Sequence, residues 1–220
     1  MPDTQVKVLG HINVGQSGFY GLTNLTTVYF PTNISTLKYI GKTCFSNLEN
    51  LKEIINLPDS IEHIDEKAFN WCKNLEIVKL PASLKYIGEA GFLGCMKMSI
   101  ETLPEDYTQI LKETFAYCNN LKIKHFGNST NGISTTSIDN NITHIGVDAF
   151  SLGVNNEHIT EIFIHSSIVF LGEKCFNNYC SSNIRCTIND GSGLIDIETY
   201  KQYFGNQSKM PNINNVDSHY

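Results

Sequence analysis

Three regularly spaced cysteines are the residues of this chain that could most readily support chemistry. Cys72, Cys95 and Cys118 lie 23 residues apart, and each follows a phenylalanine by three positions. Cysteines at a fixed spacing can bind zinc or form a set of disulfides. The equivalent position in earlier segments holds Leu22 and Leu48, and leucine can do neither. We therefore predict that the three thiols are small buried apolar side chains stacked in a ladder, as free cysteines often are in protein cores.

The remaining cysteines fit the same interpretation. Cys44 and Cys175 directly precede a phenylalanine, at a position that small residues such as Ala68 also occupy. Only Cys180 and Cys186 fall outside the repeated positions. The chain has seven cysteines, an odd number, and most of them are explained by the repeat. This favours a reducing or redox-indifferent compartment over a disulfide framework.

The sequence does not contain the common motifs of catalysis and cofactor binding. The glycine-rich stretch GHINVGQSGFYG lacks the G-x-G-x-x-G spacing of a dinucleotide-binding loop, and no H-x-x-x-H, C-x-x-C or G-x-S-x-G occurs. His63 and His144 share a repeated position with Tyr39, Tyr86 and Phe170, which predicts aromatic wall residues in place of metal ligands. We expect no enzymatic activity, no cofactor and no metal.

Composition and charge exclude further classes of protein. The net charge of -6 is spread over 17% charged residues, so the basic stripe of a nucleic-acid-binding protein is absent. No apolar run approaches the ~18 residues of a membrane span, and the first residues lack the pattern of a signal peptide. The expected location is the cytoplasm or a virion, or a cell surface if the chain is trimmed or exported by another route.

A repeat explains the cysteine spacing. An Ile-like residue is followed five positions later by phenylalanine, and the phenylalanines are 26, 24, 23, 23, 35 and 26 residues apart. We predict about seven coils of ~23 residues that bury their apolar edges by stacking. The pairs are Val14/Phe19, Ile40/Phe45, Ile64/Phe69, Ile87/Phe92, Ile110/Phe115, Ile145/Phe150 and Leu171/Phe176.

Each coil is predicted to contain one strand and one turn. The segment 75–80, LEIVKL, is β-prone and is followed by Pro81, which cannot donate a ladder hydrogen bond. The phenylalanine and the residues three and six positions later suit a helical or 3₁₀ turn. The predicted fold is a repeat solenoid with short parallel strands on one face and turns or short helical segments on the other.

The full repeat, L-x-x-I-x-L-P-x-S-L-x-x-I-G-x-x-A-F-x-x-C-x-x-L, resembles the BspA-like class of leucine-rich repeats. The match is best over residues 45–121 and extends from Val14 to Phe176. Residues 194–206, LIDIETYKQYFGN, resemble the amphipathic helix that often caps such arrays. The resemblance implies adhesion or protein binding without catalysis.

The domain organisation follows from the repeat and the resemblance. Residues 1–13 are expected to form an N-terminal strand or cap, and residues 14–188 the repeat array. The array contains a long loop insertion at 127–141, which is a plausible contact element. Residues 189–220 form the predicted capping segment and tail.

The outward-facing strand residues are the candidate partner-binding site. Strand alternation predicts which side chains point away from the core, and aromatic residues among them are typical of protein interfaces. A solvated sheet face is the alternative interpretation. The candidates are Thr27, Tyr29, Glu53, Ile77, Lys79, Thr102, His125, Glu161 and Phe163.

Trp71 and Tyr117 are secondary contact candidates. They occupy the same repeat position two coils apart, with Gly94 in the coil between them. They either form a paired aromatic contact or simply cover the convex wall of the solenoid.

Two functions remain open from the sequence. The first is a recognition module that binds a protein or glycan partner. The second is a structural or decorating subunit of a larger assembly such as a virion, held by neighbouring subunits.

Overall fold

The structure is a computed structural model that describes residues 4–7, 13–32, 34–127, 140–152, 156, 159, 161–165, 167–179, 185–188 and 202. Every strand pairing in this part of the chain is parallel. This arrangement confirms the predicted solenoid of short parallel strands. The predicted capping helix lies outside the described residues except for Gln202, and it stays a prediction, as does the number of coils.

The strands are short and regularly distributed along the chain. In order they are β1 (Gln5–Lys7), β2 (Asn13–Val14), β3 (Thr27–Tyr29), β4 (Tyr39–Ile40), β5 (Glu53–Ile55), β6 (His63–Ile64), β7 (Tyr86–Ile87), β8 (Gln109–Ile110), β9 (His125–Phe126), β10 (His144–Ile145), β11 (Glu161–Ile164), β12 (Phe170–Leu171) and β13 (Arg185–Ile188).

These strands form two faces. The first strand face consists of the sheets β1-β3-β5 and β9-β11-β13, and the second strand face of β2-β4-β6-β7 and β8-β10-β12. The sequence predicted only the first. The strands of the second face span two residues each, which is too short for the alternating pattern that identifies a strand in a sequence.

The turn around each phenylalanine holds neighbouring coils together. The backbone N–H of Cys44 donates to Gly41 O in its own coil, whereas that of Phe45 donates to Ala68 O in the next coil at 2.8 Å. Thr43 has a left-handed backbone, with φ of 52°, so that alternate N–H groups point to the next coil. Left-handed geometry costs about 1–2 kcal/mol for a non-glycine residue, and the bonds between coils offset that cost.

The core is a continuous stack of phenylalanine rings. Neighbouring rings are nearly parallel, within 15°, and their centroids lie 5.0–5.9 Å apart. All but the first ring are fully buried, which confirms the inward orientation predicted for this position. The stacked rings are Phe19, Phe45, Phe69, Phe92, Phe115, Phe150 and Phe176.

The cysteine ladder runs beside the phenylalanine stack. Cys72, Cys95 and Cys118 are free thiols with no exposed surface, as predicted. Each Sγ also donates a hydrogen bond to the phenylalanine carbonyl of the preceding coil, for example from Cys95 to Phe69 O at 3.1 Å. Burial raises the pKa of Cys72 to about 12. The thiols are therefore hydrogen-bonding as well as packing groups. Cys180 and the side chain of Cys186 lie outside the described residues.

The long insertion is joined to the array by Asn140. Its side-chain oxygen accepts from the Gly127 N–H at 2.9 Å, and its side-chain nitrogen donates to His125 O at 2.9 Å. These bonds place the two ends of the insertion side by side, so the coil continues past it. The intervening residues 128–139 lie outside the described part of the chain.

Candidate functional site

Six side chains form a row along the outside of the first strand face, called here the outer row. Parallel pairing places Tyr29 beside Ile55 and His125 beside Phe163. Lys79 and Thr102 fall at the equivalent position in the coils between them, at the 23-residue spacing. Five of the predicted contact residues therefore share one line across the solenoid, together with Ile55.

The outer row combines aromatic, apolar and polar groups. Tyr29, His125 and Phe163 are half-buried, whereas Lys79 and Thr102 are exposed. The rings of His125 and Phe163 stack with centroids 4.5 Å apart and planes within 11°. Packing against a neighbour fixes the orientation of these two rings.

The other predicted contact residues lie near the row, not in it. Glu53 is exposed on β5, two residues before Ile55. Glu161 pairs with Arg185 through the backbone register of β11 and β13. The side chain of Glu161 lies outside the described residues.

Two predicted orientations are wrong. Ile77 is buried, and Val78 is 72% exposed in its place. No regular strand forms between Leu75 and Leu80, so strict alternation does not apply and the more apolar Ile77 joins the core. Thr27 is also buried; the strand register places it between the longer residues Gln5 and Glu53.

Sequence reasoning missed three contributors to this face. Ile55 was not among the predicted residues, Val78 lies between Ile77 and Lys79, which were both predicted to point outward, and His165 follows a strand end, where alternation makes no prediction. His165 Nε2 lies 3.4 Å from His125 Nδ1, and the planes of the two rings are nearly parallel, within 16°. His125 therefore contacts both Phe163 and His165.

The second strand face carries its own aromatic row, formed by Tyr39, His63 and Tyr86. Ring centroids of neighbours lie 5.9 and 5.8 Å apart, which confirms that His63 is an aromatic wall residue. Tyr39 and Tyr86 are 36% and 41% exposed. The Tyr39 hydroxyl donates to Asp65 Oδ2 at 2.7 Å, and this bond raises the pKa of Tyr39.

The secondary candidates meet on the turn side of the solenoid. The Trp71 and Tyr117 ring centroids are 5.9 Å apart with planes 31° apart, so the paired aromatic contact is present. Lys73 Nζ lies 5.6 Å from the centre of the Trp71 ring. Tyr117 remains exposed.

The described residues offer little for a catalytic or metal centre. No group of three or more His, Cys, Asp or Glu side chains in this part of the chain converges as metal ligands would. An open groove of about 620 Å³ lies at the corner between two coils, lined by residues such as Pro31, Ile34, Leu57 and Asp59. In the part of the chain that the structure describes, no helix has the length and apolar character needed to span a membrane.

Comparison with known families identifies the repeat. The family model described as the BspA type leucine-rich repeat region matches in six copies, over residues 9–122 and 124–218. No curated protein sequence matches the chain.

Two solved structures show the same fold. A leucine-rich repeat protein of T. pallidum is 22% identical with a TM-score of 0.54, over 81% of this chain and 78% of that one. A leucine-rich cell surface protein of Faecalibacterium prausnitzii is 18% identical with a TM-score of 0.53, over 85% and 69%. A leucine-rich repeat protein of Bacteroides ovatus is 22% identical with a TM-score of 0.47, and the match covers 84% of this chain but 59% of that one.

Proposed function

Because the chain belongs to the family of BspA-type leucine-rich repeat proteins, we propose that it is a non-catalytic recognition module that binds a protein partner through its first strand face. One observation carries the proposal. The outer row presents Tyr29, Ile55 and Phe163 in one line with partly exposed surface, and Val78 stands 72% exposed on the same side.

The outer row suits a protein partner because of its chemistry. Aromatic and apolar side chains supply most of the energy of protein interfaces, and single charges around them set the orientation of the partner. Glu53 and Lys79 are exposed charges of this kind. Ile55 and Val78 have no group that could hydrogen-bond a sugar hydroxyl, which favours a protein over a glycan.

The solenoid also lowers the cost of binding. Side chains of the outer row project from strands and coils whose positions are fixed by backbone bonds to both neighbours. Less conformational freedom is then lost when a partner binds. The stack of His125 on Phe163 restricts two of these rings before any partner arrives.

A pair of matched variants tests the proposed face. Val78 and Val169 are equally exposed, at 72% and 71%, but on the first and second strand faces respectively. Partners crosslinked to the full chain in a lysate of its source should be retained by Val169→Glu and lost by Val78→Glu. Equal retention by both variants would show that the first strand face is not the binding surface.

The native mass separates recognition from a structural role. Size-exclusion chromatography of a gently lysed source, with immunodetection, should find the chain near its monomer mass of 24.7 kDa or with one partner. Elution in a very large particle would instead favour a subunit of an assembly such as a virion.

A further inference from the structure

Two histidines meet on the first strand face, and one of them belongs to the outer row. His125 lies on β9, and His165 directly follows β11. Their ring centroids are 5.7 Å apart, whereas His165 Nε2 lies 3.4 Å from His125 Nδ1. The difference between these distances is close to twice the radius of an imidazole ring, so the two nitrogens face each other and the rings meet edge to edge. The two residues are called here the histidine pair.

The surrounding structure holds the histidine pair in place. The backbone N–H of His165 donates to Phe126 O at 2.9 Å, and His125 O accepts from the Asn140 side chain at 2.9 Å. The His125 ring also stacks on Phe163, and both histidines are half-buried. Because the two backbones are fixed to the same sheet, repulsion between the rings can be relieved only by rotation of a side chain.

The contact between the two rings depends on how many protons they carry. In the neutral pair, one of the facing nitrogens donates its proton and the other accepts with its lone pair. A first added proton goes to the outer nitrogen of the donor ring, and the N–H···N contact is kept with a charged donor. A second added proton goes to the acceptor nitrogen, so that two N–H groups face each other and two positive rings repel. The pair therefore takes up its second proton less readily than its first.

Charged residues of the adjoining segments influence the protonation of the pair. Lys124 is exposed directly before β9. In the preceding coil, Glu101 pairs with Lys122 at 3.4 Å. On the following strands, Glu161 of β11 lies opposite Arg185 of β13 in the backbone register. These two carboxylates thus each stand beside a basic residue, and Lys124 adds a positive charge that disfavours full protonation of the pair.

We propose that the histidine pair makes binding by the first strand face sensitive to pH, so that a partner bound at neutral pH is released as the pair becomes protonated. This pH dependence rests on the proposed function, because His125 belongs to the outer row. A partner that covers the outer row removes water from both rings, and burial of a charged ring costs far more than burial of a neutral one. Binding therefore favours the neutral pair, and the affinity falls as the pH drops below the ~6.5 at which imidazoles ordinarily titrate.

Histidines of the second strand face have different neighbours and supply a control. The His63 ring lies between those of Tyr39 and Tyr86, with centroids 5.9 and 5.8 Å away. The His144 ring stacks on Phe170 at 6.1 Å. Protonation of His63 places a charge beside aromatic rings, which is favourable, whereas full protonation of the histidine pair places two charges side by side.

Proton NMR of the imidazole signals tests the pair in the full chain without a partner. The signals are followed between about pH 8 and pH 5 and assigned with His125→Gln and His165→Gln. In the wild type, both signals should titrate in two steps, because each ring senses the charge of the other. In His165→Gln, the His125 signal should titrate in one step. Two independent one-step curves in the wild type would overturn the proposal.

Partner retention at two pH values tests the consequence for binding. The probe is the protein band that the immobilised full chain retains from a lysate of its source at about pH 7.5 and that Val78→Glu loses. Washing at about pH 5.5 instead should reduce retention by the wild type about tenfold, since one released proton changes affinity about tenfold per pH unit. In His125→Gln/His165→Gln the ratio of retention at the two pH values should be near one, and His63→Gln should keep the wild-type ratio. Circular dichroism at both pH values checks that each variant is folded.

The outcomes separate this proposal from the proposed function. A band that depends on Val78 but is retained equally at both pH values would overturn the pH dependence and leave the binding face intact. The same ratio in the wild type and in His125→Gln/His165→Gln would place the titrating group elsewhere and also overturn it. If no band depends on Val78, the proposed binding face fails together with its pH dependence.

Discussion

The ring of Trp71 packs on the ring of Tyr117 across Gly94, although a whole coil separates the two residues. The contact is possible because Gly94 has no side chain: a Cβ there would lie 2.6 Å from Trp71 Cε3. Trp71 and Tyr117 both have left-handed backbones, with φ of 57° and 58°. This geometry is unusual for aromatic residues.

Replacing Gly94 with alanine should destabilise the protein. Gly94 has a φ of +76°, which alanine adopts only with strain, and the new methyl group would also displace the Trp71 ring. We expect a loss of about 2–3 kcal/mol in the free energy of unfolding, measured by urea denaturation.

The matched control for this prediction is Gly21→Ala. Gly21 has nearly the same φ, +78°, with nothing within 4 Å of the added Cβ, so it should show the backbone strain alone, about 1 kcal/mol. The double variant Trp71→Ala/Gly94→Ala should lose less than the two single changes added together. Equal costs at Gly94 and Gly21 would mean that the aromatic contact imposes no constraint.

Substitutions at Cys95 test whether the cysteine ladder is a buried part of the core. Cys95→Ala removes both a buried sulfur and its bond to Phe69 O, and should cost about 1–2 kcal/mol. Cys95→Asp should cost far more, because it buries an unpaired charge. Urea unfolding measures both. Unfolding of the wild type by dithiothreitol or EDTA would contradict the free-thiol ladder.

The repeat made the core predictable, whereas the orientation of single side chains was not. The spacing of Phe69 and Cys72 recurs so regularly that only stacked equivalent positions explain it. Ile77 and Val78 are both β-branched and apolar, so composition could not decide which of them faces the core. The decision depends on a segment that is extended without being a regular strand.

The same limit applies to the candidate sites. The contact between His125 and His165 spans the 128–139 insertion, so no local pattern could reveal it. The contact between Trp71 and Tyr117 could be predicted from the sequence because both residues occupy the same position of the repeat.

Stability should fall at alkaline pH because of the buried thiols. The pKa of Cys72 is about 12 in the folded protein against 9.0 for an ordinary thiol, so the unfolded chain releases its proton first. The contribution to stability is complete below pH 9 and is lost as pH rises from there toward 12.

Urea unfolding between pH 7 and pH 10.5 measures this dependence. Cys72→Ala should have a lower stability at pH 7 but a shallower decline above pH 9, since one buried thiol is removed. A wild-type free energy of unfolding that stays constant up to pH 10.5 would contradict the burial of the cysteine ladder.

Removing the hydroxyl of Tyr107 should leave the protein as stable as before or make it more stable. Tyr107 is fully buried and its hydroxyl makes no close hydrogen bond, although the Thr114 hydroxyl, which donates to Leu111 O, lies near enough to lower the pKa of Tyr107 against the larger effect of burial. An unpaired buried hydroxyl costs about 1–3 kcal/mol. The small space left by the oxygen offsets part of this gain, so Tyr107→Phe should raise the free energy of unfolding by up to about 1 kcal/mol.

Tyr179→Phe is the control, because the Tyr179 hydroxyl donates to Ile123 O at 2.9 Å and its removal should cost about 1 kcal/mol. Thermal unfolding of both variants measures the difference, and a clear loss of stability in Tyr107→Phe would show that its hydroxyl is hydrogen-bonded.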